Sequence, residues 1–392
     1  MAGGTAIKRC FISIITSWAA GGSVGRRVKS DAGVGDSKTR RLGHVDGTKP
    51  LAGLRIVDFS RLLPGPFGTW RLAQLGAEVL KVEDVRGGDP MRLFGPPYDA
   101  VNRGKQSVAL DLREETGRRQ ALALIRAADV CIESYRPGVM KAMGLDEPSV
   151  RPLNPRLIYC SVTGYGQEGP WADLAGHDIN YLSVTGVTAV TGVAIGDEEH
   201  LAVPGITVAD YAGGVAVVEA VLAALWRRER TGQGAYLDVA MQDMLLSFQA
   251  VNGALARAGV PTGPEKQELN GGVVCYHLYR AKDGWVSLGA LEQKFWDRFC
   301  QGVGRPQWRD KSRSPACSEN PVYREMVELF RSRPRDEWAT LGEQWDCCLM
   351  PVLTVPEVVE RFSDHPAFRP GKGPALGEHT WPWVREALAS AD

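Results

Sequence analysis

Two short stretches of this 392-residue sequence hold side chains able to move a proton or attack a carbonyl group. One is Gly176-His177-Asp178-Ile179-Asn180-Tyr181 and the other is Ala209-Asp210-Tyr211-Ala212-Gly213-Gly214. An imidazole with an ordinary pKa of about 6.5 and a carboxylate facing it can each give or take a proton near neutral pH. Each stretch also has a plainer reading. His177 before Asp178 at the start of a helical segment reads as an N-cap arrangement, and Asp210 opening the next long helix reads as an N-cap worth about 1 kcal/mol. Gly213 and Gly214 in that helix's first turns lower its propensity by about 1 kcal/mol each, which demands a reason. Close approach of a ligand to the helix N-terminus is one such reason.

Three loops are suited to hold an anion. Pro64-Gly65-Pro66, Asn102-Arg103-Gly104-Lys105-Gln106-Ser107 and Tyr135-Arg136-Pro137-Gly138 each adjoin an expected strand. Arg103, Lys105 and Arg136 make them attractive to a polyphosphate. Gly164-Tyr-Gly166-Gln-Glu-Gly169 fits a dinucleotide fingerprint, yet it follows a fifth strand rather than a first and lacks the downstream acidic residue. Its glycines read better as a turn passing close to another backbone or a ligand.

The elements that position these residues begin at Leu51. Apolar, β-branched runs at Leu54–Phe59, Glu78–Val82, Ser107–Leu112, Asp129–Ser134 and Arg156–Thr163 alternate with helical stretches at Phe67–Leu75, Glu114–Ala127 and Pro137–Met143. This alternation predicts an α/β fold with a parallel, Rossmann-like sheet. A long helix over Asp210–Arg230, a strand over Ala235–Met241 and a helix to about Ala258 follow. After a linker at Pro261–Asn270, Val273–Arg280 and Trp285–Leu288 flank Ala281-Lys282-Asp283-Gly284, a hairpin signal. With helices at Gln293–Cys300, Pro321–Arg331 and Asp336–Trp345 they predict a second, smaller α+β domain. The expected organisation is a basic, disordered extension over 1–48, a large domain over 49–258 completed by about 368–392, and a small domain over 262–366.

The formal charge is zero, but it is a sum of unlike parts. Residues 1–50 carry nine basic and three acidic side chains, leaving 37 basic and 43 acidic over 51–392. An acidic body argues against nucleic acid or a membrane surface as partner. No window is read as approaching the about 20 apolar residues of a membrane span, and Cys10–Ala20 is too short and polar for a signal-peptide core. Eight cysteines without a Cys-x-x-Cys pair or zinc spacing read as reduced thiols of a cytoplasmic protein with no metal site.

The residues together carry a resemblance. Leu62-Leu-Pro-Gly-Pro66, Asn102-Arg-Gly-Lys105, Tyr135-Arg-Pro-Gly-Val139, Asn154-Pro-Arg-Leu-Ile158, Gly164-Tyr-Gly166, Gly176-His-Asp-Ile-Asn-Tyr181, Ala209-Asp-Tyr-Ala-Gly-Gly214 and Gly377-Glu-His-Thr380 stand in the order seen in the class III CoA-transferase superfamily. That superfamily holds acyl-CoA transferases and α-methylacyl-CoA racemases, and its motifs here resemble the racemases most. The resemblance implies an interlaced homodimer, an acyl-CoA substrate and no cofactor beyond its CoA moiety. It implies that Asp210 is catalytic in either reaction, as nucleophile in a transferase or as one of two bases in a racemase. His177 matches the opposite base of racemases, and Glu292, in Gly289-Ala-Leu-Glu292, matches an acidic residue beside that site; the plainer reading of Glu292 is an exposed hairpin end. Arg103, Lys105 and Arg136 are expected to hold CoA. Arg86 is expected to replace an arginine that relatives carry nearer the end of Lys81-Val-Glu83. The implied function is epimerisation of 2-methyl-branched acyl-CoA thioesters in fatty acid metabolism, with CoA transfer through Asp210 as the alternative. Amides at the N-terminus of the Asp210 helix are expected to stabilise the enolate.

Overall fold

A computed structural model of the chain describes residues 49–195 and 198–391. The expected basic extension, 1–48, lies outside the described residues. Strands β1 (Arg55–Asp58), β2 (Glu78–Asp84), β3 (Gln106–Leu110), β4 (Val130–Glu133) and β5 (Ile158–Thr163) form one sheet with β8 (Ala235–Ala240), reached after the short hairpin β6 (Gly192–Ile195) and β7 (Glu198–Leu201). The order is β3-β2-β1-β4-β5-β8, and every pairing is parallel.

Both faces of this sheet are covered, which is why its strands read as continuous apolar runs rather than as alternation. Val57, Leu80, Cys131 and Tyr159 face one core with the helix α3 (Glu115–Arg126), while Ile56, Val79, Val130, Ile132 and Ile158 face another. The second core is closed by α1 (Pro64–Gln74), α7 (Val208–Thr231), and the residues Leu72, Val217 and Val221. Between β3 and α7 lie α2 (Pro96–Asn102), α4 (Val139–Ala142), α5 (Glu147–Val150) and α6 (Asp178–Val184).

Helix α7 corrects one expectation: with 24 residues it is long and apolar enough to cross a membrane by composition. Here that apolarity has another use, because Val217, Val221 and Ala224 are buried against the sheet. Its glycines are explained by packing. A Cβ on Gly214 would stand 2.7 Å from the Pro64 carbonyl oxygen and from the Phe67 ring, and one on Gly68 would stand 2.9 Å from the Gly214 carbonyl oxygen. A Cβ on Gly213 would meet Met241 at 2.5 Å. The backbones of α1 and α7 therefore touch, and helix contact, not a ligand, is the reason for the two glycines.

Helices α8 (Met241–Phe248) and α9 (Ala250–Arg257) lead to a stretch anchored by Glu265, whose carboxylate accepts from Ala194 N–H at 2.9 Å. Beyond it β9 (Tyr276–Arg280), β10 (Trp285–Gly289) and β11 (Leu349–Pro351) form an antiparallel sheet in the order β11-β10-β9. The turn predicted at Ala281–Gly284 closes β9 on β10, with Ala281 N–H donating to Gly284 O at 2.9 Å. Helices α10 (Gln293–Gly302), α11 (Pro321–Arg331) and α12 (Arg335–Trp345) cover one face of it, burying Trp296, Phe299, Trp308, Phe330 and Trp338.

After α13 (Val355–Arg361) the chain returns to the large sheet. Ser107 N–H donates to Glu378 O at 2.9 Å, and the Gln106 amide pairs with Thr380 at 2.9 and 2.7 Å. The last helix, α14 (Pro382–Ala389), buries Trp383 and Val384 in the α3 core.

Under the ends of β1 and β2 lies a buried ionic group. Lys105 Nζ donates to Thr69 Oγ1 at 2.7 Å, to Pro66 O and Asn102 Oδ1 at 2.9 Å, and faces Asp58 Oδ2 at 3.3 Å. Both charged side chains are 0% exposed. Removing one member of such a group leaves its partner buried and uncompensated. Lys105→Met is therefore expected to lower unfolding free energy by about 3–5 kcal/mol, read from urea denaturation.

Candidate active site

A cavity of about 410 Å³ opens across the C-terminal ends of β1, β4 and β5, where such sheets bind ligands. The loop after β1 supplies Arg61 and Leu62, the loop after β4 supplies Ser134, Tyr135 and Arg136, and the segment after β5 leads to His177. Asp210 enters from the first turn of α7. His177 and Asp210, 33 positions apart in sequence, thus face one space.

Their relative position is set by Asp178. His177 is the N-cap of α6, and its N–H donates to Asn180 Oδ1 at 3.0 Å. Asp178, the next residue, is turned away from its own helix. Its Oδ1 accepts from Ala209 N–H at 2.6 Å and from Asp210 N–H at 3.2 Å, so it caps α7. This corrects the expected source of enolate stabilisation: those two amides already have an acceptor, and Tyr211 N–H bonds Thr207 O at 3.1 Å.

The same contact tunes the chemistry. Burial first, and then the negative charge of Asp178, push the Asp210 carboxyl up to about 6, while the Thr207 hydroxyl and His177 pull the other way. Burial also raises Asp178, opposed by its two N–H donors. A carboxyl near 6 is half-poised between acid and base close to neutral pH.

Tyr181 explains the glycine-rich turn. Its hydroxyl donates to Gly176 O at 2.6 Å, and its ring stands edge-on to Tyr165 at 5.0 Å between centroids. A Cβ on Gly164 would lie 2.3 Å from that ring and one on Gly176 would lie 2.6 Å from it. Gly164 is thus required by close approach to an aromatic side chain, while Gly166 and Gly169 adopt positive φ of 87° and 105°.

The expected CoA contacts separate into two groups. Arg136 lines the cavity. Lys105 does not reach it: it is enclosed with Asp58, and burial holds its ammonium down to about 7 against the opposing pull of Asp58. Arg86 is clasped by Asp84 at 2.8 and 2.9 Å and lies outside the cavity. Arg103 donates to Pro366 O and lies 5.0 Å from the Trp70 ring centroid, fastening the C-terminal segment. Each of these three cations already has a partner within the chain. Glu292, the N-cap of α10, is exposed and does not line the cavity with His177 and Asp210.

Arg61 escaped the sequence reading, although it stands one residue before the Leu62–Pro66 motif. Asp178 escaped it as well, because a capping carboxylate is invisible until the second helix is placed. Among the described residues no group of three or more His, Cys, Asp or Glu is arranged to hold a metal ion. Of the cysteines, 131, 160, 275, 300 and 347 are buried free thiols, Cys317 is half-buried, Cys348 is exposed, and Cys10 lies outside the described residues.

A parallel six-stranded α/β sheet thus carries His177 and Asp210 on one cavity at the carboxyl ends of its strands. The chain belongs to CoA-transferase family III, which it matches over residues 51–380. It is 35% identical to human succinyl-CoA:glutarate CoA-transferase over 90% of this chain and 89% of that one. It is also 33% identical to human alpha-methylacyl-CoA racemase over 80% of each. Its fold matches a CAIB/BAIF family protein from Brucella suis with a TM-score of 0.73 at 28% identity, covering 88% of this chain and 99% of that one.

The Asp178 contact predicts a pH effect. Asp178→Asn keeps an acceptor for the α7 amides but removes a negative charge beside Asp210, so the Asp210 pKa falls. The acidic limb of the activity profile, rising through about 6 in the wild type, is expected to move to lower pH. A pH–kcat/KM series on both proteins checks it.

Proposed function

We propose that this protein epimerises 2-methyl-branched acyl-CoA thioesters by 1,1-proton transfer through an enolate. The observation that supports the reading is the pairing of His177 and Asp210 on one cavity, presented from two different helix N-termini. Inverting a carbon centre needs an acid and a base on opposite faces, both able to change roles. A carboxyl raised to about 6 can change roles near neutral pH. In the forward direction one group removes the α-proton, and the other returns a proton to the opposite face. No step requires a cofactor beyond the CoA of the substrate.

The strand order β3-β2-β1-β4-β5-β8 supports a Rossmann-like large domain that holds the thioester at its switch point. An interlaced homodimer belongs to the same reading. The exposed position of Glu292 fits a residue that supports the site of the other subunit and not that of its own. Equimolar mixing and refolding of His177→Ala with Glu292→Ala is then expected to recover about a quarter of wild-type activity, while each variant alone stays low.

A second reading is favoured by the likeness to CoA-transferases: Asp210 attacks the thioester carbonyl and expels the CoA thiolate to give a mixed anhydride, and that thiolate then attacks the aspartyl carbonyl, releasing the acyl group as a carboxylate and leaving an aspartyl-CoA thioester. Deuterium exchange separates the two. In D₂O, wild type is expected to incorporate solvent deuterium at C2 of a 2-methylacyl-CoA. His177→Ala and Asp210→Asn are each expected to slow exchange about 10²- to 10⁴-fold. Absence of exchange in wild type, with hydroxylamine trapping an adduct at Asp210 and CoA passing between acids, would establish the transferase instead.

A further inference from the structure

A second cavity, of about 240 Å³, lies beside the active one and shares only Arg136 with it. Strand register builds its floor. Glu133 of β4 pairs with Ser161 of β5, and each stands two residues beyond a side chain of the α3 core, Cys131 and Tyr159, so both point to that side of the sheet. Tyr236 of β8 closes the row, its hydroxyl donating to Ser161 Oγ at 3.4 Å. Helices α4 and α5 bring Lys141 and Pro148 to the rim. The volume is below the about 300–1,000 Å³ of sites for drug-sized ligands, so it suits a smaller molecule.

Glu133 is the exceptional group on the floor. It is 3% exposed, buried like Asp58, Glu83 and Asp89. Those three are paired with Lys105, Arg92 and Lys81. Among the described residues no cation pairs with Glu133, which is held by Tyr135 N–H at 2.7 Å and by the Ser161 hydroxyl. Burial pushes its carboxyl up to about 7, opposed by those two donors, with Asp238 adding to the rise. A buried carboxylate without a cation is unfavourable, and a cation supplied from outside the chain relieves that.

The rim shows the opposite imbalance. Arg136 and Lys141 are exposed and, among the described residues, form no ion pair. The two rim acids are taken: Glu147 pairs with Arg151, and Asp146 accepts from the Ser149 hydroxyl. Gln167 adds an unused donor. Its backbone N–H reaches Asp238 Oδ2 at 2.9 Å, while its side-chain Nε2 is buried at the cavity without an acceptor among the described residues. One space therefore lacks a cation at its floor and an anion at its rim.

We propose that this second cavity binds a small α-amino acid, its ammonium donating to Glu133 and its carboxylate accepting from Arg136, Lys141 and the Gln167 amide. Met140 and Pro148 offer apolar walls to a short side chain. A carboxylate without an ammonium leaves Glu133 unpaired, and an amine without a carboxylate leaves the rim cations unpaired, so the zwitterion fits and its halves do not. The site is independent of which reaction the active cavity performs.

Calorimetric titration of the full chain with 2-aminobutyrate tests it, with butyrate and propylamine as the two halves of that molecule. Wild type is expected to bind 2-aminobutyrate saturably and each half about ten- to a hundredfold more weakly, through loss of charge-assisted hydrogen bonds. Glu133→Gln, which keeps an acceptor for Tyr135 N–H, is expected to weaken 2-aminobutyrate by a similar factor. Lys141→Met, a change on the surface, is expected to weaken it about five- to tenfold and to leave the thermal midpoint unchanged. Absence of saturable binding to wild type would overturn the proposal, as would unchanged affinity in Lys141→Met. Butyrate bound as tightly as 2-aminobutyrate would overturn it by leaving an anion site only, and propylamine bound as tightly would do so by leaving a cation site only.

Discussion

The organisation of the site depends on charges that never meet solvent. Lys81 and Asp89 pair at 2.9 Å and Lys105 faces Asp58 at 3.3 Å, with all four side chains 0% exposed. Burial opposes the ionised form of Asp58, yet Lys105 and Lys81, with the Ser60 and Thr69 hydroxyls, hold it below the usual carboxylate range. Replacing such pairs with well-packed apolar groups can be energetically neutral, so their value lies in what they orient. Asp89 receives the N–H of Leu62 and of Met91, and Lys81 donates to Ser60 O at 2.8 Å. Asp89 N–H in turn reaches Glu83, which also holds Arg92 at 2.6 and 2.8 Å and Ser107 at 2.5 Å. One connected polar group therefore fixes the loop after β1, and with it one wall of the cavity.

The other wall depends on a single carboxylate. Asp178 joins two helix starts: covalently it follows His177, and through hydrogen bonds it grips the backbone of Asp210. A helix N-terminus carries a partial positive charge that favours an anion. Here the chain supplies that anion itself, with two effects. The amides of α7 are occupied, and the negative charge placed beside Asp210 makes its proton harder to lose. Geometry and acidity are thus set by the same contact.

The fold was largely legible because its signals are local. Strands apolar on both faces, the four-residue turn at Ala281–Gly284 and the periodic aromatic helices after it are all visible in short windows. The site was legible where residue type is decisive, as for His177 and Asp210. It was illegible where burial reverses the meaning of a residue. Lys105, in a run of polar residues beside Gly104, looks like a solvated loop cation, and nothing nearby reveals that Thr69 and Asp58 enclose it. Gly213 and Gly214 signalled a close approach correctly but not their partners, Met241 of α8 for the first and, for the second, α1, more than 140 residues earlier. Ionic and backbone contacts of this range leave no periodicity in sequence.

The edge of the large sheet is finished late. β3 is its first strand in space, yet its outer side is met by Gly377, Glu378 and Thr380, about 270 positions further on, and its underlying core by Trp383 and Val384. A chain still emerging from the ribosome has every strand of this sheet before it has the residues that cover that edge. Unpaired edges and uncovered apolar surface are what draw partly folded chains together. The segment over 377–389 therefore completes the cover of an edge and a core that were laid down far earlier in the chain.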